Sequence, residues 1–135
     1  TSDTYLDIER HEGLIVAPRV LVVRLDGPLF FATANLFHDG VNQLISAADA
    51  PVHAVVLDME AVSHTDTDGA DTLTSMASEM KARGIWFGIA RAEEAILDRW
   101  DRAGAIEAIG RNHVFASVQE AAHEAGARAG VDPSP

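Results

Sequence analysis

Residues 55–73, VVLDMEAVSHTDTDGADTL, decide how this chain folds. The opening VVL, with Ala54 before it, is a near-continuous apolar run, the pattern of a strand buried on both faces. Asp66 to Asp68 then cap a helix whose apolar face is Ala70, Leu73, Ala77 and Met80, with Met76 beside it. A strand that turns through carboxylates directly into a helix is the repeating joint of α/β proteins, and such joints often hold their chemistry. Here the joint gathers Asp58, Glu60, Asp66, Asp68 and Asp71, with Thr65 and Thr67 between them.

The same alternation extends outward in both directions. VLVVRL at 20–25 reads as a strand, Asp26-Gly27-Pro28 as a turn, and Leu29-Phe30-Phe31 as a second short strand, which predicts a hairpin. Thr33 or Asn35 caps a helix with an apolar face of Phe37, Val41, Leu44, Ile45 and Ala48. Pro51 ends the connection to the central strand at 53–59, HAVVLDM. Gly84 stops the second helix, and IWFGIA at 85–90 is another buried strand. A helix over 92–103 buries Ile96, Leu97 and Trp100 and stops at Gly104. Residues 113–116 form a short edge strand. Ser117 and Glu120 form a capping box that opens a last helix burying Val118, Ala121, Ala122 and Ala125.

The expected order is β-β-α-β-α-β-α-β-α. Strands separated by helices need crossovers, so the fold class is α/β: a mixed, mostly parallel sheet of about five strands with about four helices and an antiparallel hairpin at one side. The expected organisation is a polar leader or linker at 1–12, one domain at 13–126 and a flexible tail at 127–135.

Composition narrows the function. The 135 residues suit one domain, and 47% apolar content supports a packed core. A net charge of -11, with Lys81 the single lysine, argues against nucleic-acid binding, which needs clustered cations against phosphates. The absence of cysteine excludes disulfides, thiol catalysis and thiolate metal ligands. Pro18 and Arg19 interrupt the apolar stretch at 13–23, well short of the roughly 20 residues a membrane-spanning helix needs. The polar start TSDTYLDIER is unlike a secretory leader, and Thr1 in place of an initiator Met is expected of a piece of a larger protein or, equally, of N-terminal processing.

Tested against known chemistries, the acidic joint lacks partners. A phosphoacceptor at Asp58 needs an acidic pair after the first strand and a lysine at a later strand end. The chain offers a lone Asp26 and a lysine inside a helix. An Asp-x-Asp phosphatase reading fails because Glu60 stands at the second position. Asp58 is instead expected to accept hydrogen bonds from backbone amides of the adjacent loop. A calcium loop needs Glu at its twelfth position, where this chain has Ser75 or Ala77. The six histidines show no ligand spacing, and His64, beside the turn, reads as a hydrogen-bonded structural residue. No nucleophile elbow and no glycine-rich phosphate loop is present. The sequence assigns no catalytic residue and no metal ligand, and the expectation is that the chain is not an enzyme.

The turn Asp66-Thr67-Asp68-Gly69, after VVLDMEAVSH and before ADTLTSM, resembles the signature of STAS domains. In bacterial anti-sigma-factor antagonists of that family the turn reads Asp-Ser-Ser-Gly and opens a helix, and its second serine is phosphorylated to control partner binding. A helix N-terminus, with free amides and a positive dipole end, favours such a phosphate. The chain has Asp68 at that position. Two further segments are similar to one branch, the SulP-type sulfate permeases: VLVVRLDGPLFFATAN at 20–35, with Thr33 in place of the usual Asn, and GAIEAIGRNHVFASVQEAA at 104–122.

That resemblance implies a STAS fold and a C-terminal cytoplasmic domain that regulates, assembles or traffics an anion transporter of an inner or plasma membrane. The implied partners are the transporter's own transmembrane domain, a second copy in a homodimer and other regulatory proteins. It implies a regulatory turn at Asp66, Thr67, Asp68 and Gly69. It also raises GTP or GDP as a ligand, with contacts at Ala32, Thr33, Ala34, Asn35 and Ala70, although Asp66, Asp68 and Asp71 would oppose phosphates there. The alternative is a stand-alone switch domain of the antagonist type, with Thr65 or Thr67 as phosphoacceptor.

Overall fold

The computed structural model describes residues 5–8, 11–17, 19–25, 31–62 and 67–128, with side chains described over 19–24, 38–62 and 69–127. Among the described residues six strands form one sheet in sequential order: β1 (Tyr5–Ile8), β2 (His11–Ala17), β3 (Val20–Leu25), β4 (Ala54–Asp58), β5 (Trp86–Ala90) and β6 (Val114–Phe115). β1, β2 and β3 pair antiparallel, and β3 to β6 pair parallel. The helices are α1 (Phe31–Ala47), α2 (Thr67–Ala82), α3 (Glu94–Arg102), α4 (Ala105–Ile109) and α5 (Val118–Arg128). This is the mixed, mostly parallel α/β sheet that the sequence predicts, with one more strand and one more helix.

The extra elements have local causes. The partner of β3 precedes it in the chain: Ala17 pairs with Val20, and Arg19 between them adopts φ 67. The hairpin turn thus falls where Arg19 breaks the apolar run. The expected second strand at Leu29-Phe30-Phe31 is corrected accordingly. Phe31 is the first residue of α1, and residues 26–30 lie outside the described residues. With α1 starting there, Thr33 and Asn35 fall inside the helix rather than before it. Tyr5–Ile8, expected to be leader, is the outermost strand, so the sheet begins ahead of residue 13. Its alternation of Tyr5, Leu6 and Ile8 with charged residues is short enough to read as polar. α4 was hidden inside the Gly104–Gly110 punctuation.

The helix stops follow the sequence. Gly84 adopts φ 72 and Gly104 φ 86, a left-handed conformation that glycine reaches without a Cβ clash. After α2, the Ile85 amide returns to the Met80 carbonyl at 2.8 Å.

All three parallel crossovers step the same way, β3 to β4 to β5 to β6. One handedness then sends every crossover helix to one face. Leu21, Val23, Val55, Leu57, Phe87 and Ile89 point to that face and pack under α1 to α4. Val20, Val22, Ala54, Val56 and Ala90 point the other way and are covered by α5 through Ala121 and Ala125. β4 is buried at every residue, as its apolar run predicts.

Candidate functional site

α1 follows β3 and α2 follows β4, and these strands are parallel neighbours. Both helices therefore start at the same edge of the sheet, beyond the strand C-termini. Thr67 opens α2 and Asp68 and Gly69 follow in its first turn, while Ala70 is buried at 1% exposure against the core. Ala32, Thr33, Ala34 and Asn35 lie among the first five residues of α1. The fold thus brings the two sequence-selected groups to one edge. Asp66 and His64 lie outside the described residues, as do the side chains of Thr67, Asp68 and residues 32–35.

At the same strand ends, on the α5 face of the sheet, lies an ion-paired cluster. Asp58 ends β4 and is the buried charged residue of the described core, 5% exposed. Its two oxygens accept a bidentate pair from Arg91, Nε to Oδ1 at 3.0 Å and Nη2 to Oδ2 at 2.6 Å. Oδ1 also accepts the Glu60 amide at 3.2 Å, the loop contact expected for Asp58. Arg91 Nη2 reaches Glu60 Oε1 at 3.1 Å, and Arg24, at the end of β3, reaches the same oxygen at 3.4 Å. A planar guanidinium fork matches a carboxylate, which is why an arginine suits this place. The Asp58 hydrogen bonds, above all, hold the Arg91 proton above the ordinary arginine range. Arg91 adopts φ 63, and its amide bonds the Phe115 carbonyl at 3.0 Å, so the backbone aims this side chain back across the strand ends.

Chemically this cluster is a latch. It ties β3, β4 and β5 at the point where the chain leaves β4 for the turn. Asp58 is occupied by Arg91 rather than poised for phosphoryl transfer. Lys81 sits in the last turn of α2, at the opposite edge of the sheet. Among the described residues no group of His, Asp and Glu is arranged to hold a metal ion. Sequence reasoning named Asp58 and Glu60 but missed Arg24 and Arg91. The signal available was positional: an arginine at each end of two apolar strand runs.

A concavity of about 550 Å³ lies at the other edge, between the end of α2, the start of β5 and α4, lined in part by Lys81, Trp86, Glu107 and His113. His113 Nδ1 bonds the Phe87 carbonyl at 2.7 Å and its ring stacks on Trp86 at 4.5 Å. Those contacts fasten the sheet edge and gather no reactive pair. Among the described strands the order is sequential throughout.

Comparison with known proteins assigns the fold. Sulfate transporter 3.2 of Arabidopsis thaliana is 27% identical over 128 residues, which cover 89% of this chain and 20% of that protein. Solute carrier family 26 member 10 of Mus musculus is 25% identical, with 92% and 19% covered. The chain thus spans about a fifth of the length of these curated relatives. The murine Solute Carrier 26 family member A9 anion transporter superimposes with a TM-score of 0.73 at 26% identity, over 80% of this chain and 18% of that one. The Bacillus protein SpoIIAA in its phosphorylated form, an anti-sigma factor antagonist, shares the fold at a TM-score of 0.62 and 16% identity, with 84% and 97% covered. The STAS domain family model matches residues 5–121, from β1 into α5, and the chain belongs to the STAS domain family.

Proposed function

We propose that this chain is the cytoplasmic regulatory domain of a SulP-type sulfate or related anion transporter. One observation carries the reading: sulfate transporters match nearly all of this chain, while the chain accounts for only a fifth of them. A domain of that share, with no helix among the described residues long and apolar enough to cross a membrane, acts on a transporter rather than as one. Its role is to regulate, assemble or traffic the membrane part, without catalysis of its own. The partners are the transmembrane domain of the same protein, a second copy in a homodimer and other regulatory proteins.

The regulatory element is the turn Asp66-Thr67-Asp68-Gly69 at the start of α2. Asp68 supplies a fixed negative charge where relatives are phosphorylated. It carries one charge against nearly two for a phosphate, so it mimics that state in part. On this reading the guanine nucleotide raised by the family resemblance binds at the shared edge where α1 and α2 begin, against the opposing charge of Asp66, Asp68 and Asp71. GTP and GDP titrations followed by amide shifts test this directly. Shifts at residues 32–35 and 66–70 are expected, and their absence at millimolar ligand removes the nucleotide.

The transporter reading is tested on the natural gene and by sulfate uptake. The reading frame is expected to encode membrane-spanning helices together with this domain. Asp68→Ala in that full protein is expected to change the uptake rate without changing the amount in the membrane. A frame that encodes this domain alone would sink the proposal. It would favour the antagonist-type switch, supported here by the fold likeness to SpoIIAA. That switch calls for kinase labelling of Thr65 or Thr67.

A further inference from the structure

His38, in the second turn of α1, reaches across the helix interface to α2. Its Nε2 lies 2.8 Å from Glu79 Oε1. Its other ring nitrogen, Nδ1, lies 3.5 Å from Asp39 Oδ1. Each ring nitrogen therefore faces a carboxylate. An imidazolium has an N–H for both, whereas a neutral ring turns a lone pair toward one of them. Arg83 Nη1 donates to Asn42 Oδ1 at 2.7 Å and to Glu79 Oε2 at 3.3 Å. Asn42 Nδ2 donates to the His38 carbonyl at 3.2 Å and lies 3.4 Å from His38 Nε2. His38, Glu79, Arg83 and Asn42 thus close a ring between the two helices. When Nε2 loses its proton it can accept from Asn42 instead of donating to Glu79.

We propose that His38 and Glu79 form a pH-responsive brace between α1 and α2, closed when the imidazole carries both protons and slackened when it loses one. The inference stands apart from the transporter reading. The charged groups facing His38 are Glu79 and Arg83 from α2 and Asp39 from α1 itself. On β3, which α1 also packs against, the charged residue is Arg24, engaged with Glu60. β1 and β2 also meet α1 and carry Asp7, His11 and Glu12, whose side chains lie outside the described residues. The Glu79 hydrogen bond raises His38 above 6.5, against a smaller opposing effect of burial. The same bond holds Glu79 below 4.5.

The two signs define a window. The His38 contribution is complete below pH 6.5 and fades as pH rises through the higher folded value. The Glu79 contribution is present above pH 4.5 and is lost as pH falls through the lower folded value. Between them the brace is tightest. Glu79 is the thirteenth of the sixteen residues of α2, so slackening loosens the packing between the bodies of the two helices.

Imidazole NMR titration of the chain reads this directly. The His38 midpoint is expected above 6.5, the ordinary histidine value, and it is expected to fall toward that value in Glu79→Gln. Amide shifts at Met80 and Lys81 are expected to follow the His38 midpoint and to lose that component in His38→Gln. A double-mutant cycle of the two substitutions is expected to give a larger coupling near about pH 6 than near about pH 9. A wild-type midpoint at or below 6.5, which needs no variant to fold, overturns the brace. A coupling independent of pH, or α2 amides indifferent to His38, overturns it as well.

Discussion

The two faces of the sheet are built to different depths. Under α1 to α4 the fully buried side chains are large: Leu21, Leu57, Met59, Leu73, Met76, Met80 and Trp100. Under α5 they are small: Ala54, Ala90, Ala121 and Ala125, with Val20 and Val56. The first face gains stability from apolar area removed from water. The second gains it from close approach, because alanine lets α5 lie near the strands. The second face also ends in charge. Arg24 and Asp58 continue the alternation of Val20, Val22, Ala54 and Val56, so the latch sits on the α5 side of the sheet, at the end that leads to the turn. The thick face holds the fold, and the thin face holds the chain where it enters α2.

Breaking the thick face is expected to have the largest effect. Trp100 is completely buried on α3. Trp100→Ala is expected to cost about 3–5 kcal/mol in denaturant unfolding, the transfer of the ring plus the cavity left behind. A loss below about 1 kcal/mol would mean that the four-helix layer collapses around the gap, and that the depth contrast is not what holds the fold.

Breaking the latch comes next. Arg91→Ala leaves the Asp58 carboxylate buried, with the Glu60 amide as its remaining partner among those described. The expected cost is about 2–3 kcal/mol. Adding Asp58→Asn should recover part of it, because the stranded charge is then gone. Full cost in the double variant would show that Arg91 acts through its packing rather than its charge. Ala125→Leu on α5 tests the thin face from the other side. Overpacking there is expected to cost about 2 kcal/mol. A neutral result would mean that α5 has room to spare.

Most of this fold was legible in residue order. β4, β5 and the apolar faces of α1, α2 and α5 announce themselves by period, and Gly84 and Gly104 mark helix ends by the conformation they alone adopt easily. Three features were not legible, for physical reasons. β1 and β2 owe their place to pairing with β3, and a strand of four residues has little pattern of its own. The start of α1 moved because the apolar run Leu29-Phe30-Phe31 is too short for its pattern to separate strand from helix. The site is split in the same way. The position of the turn at a strand-to-helix joint is local and could be read. The partnerships of Asp58 with Arg91 and of His38 with Glu79 span 33 and 41 residues, and only the assembled sheet and helix layer bring them together.

The smallest expected effect concerns how α5 is held. Ser117 precedes α5, accepts the Glu120 amide at 3.1 Å and donates its hydroxyl to Glu120 Oε1 at 3.1 Å. Glu120 is exposed and Ser117 half-buried, so water replaces part of what the cap supplies. Ser117→Ala is expected to cost about 1 kcal/mol, and Ser117→Gly only a few tenths. The two substitutions separate the cap from the docking of the helix. If α5 is fixed by the close fit of Ala121 and Ala125, loss of the cap frays its first turn, and amide exchange rises at residues 118–120 alone. If exchange rises along the whole of α5, the thin face depends on its cap, and close approach of small side chains is too weak to hold the helix unaided.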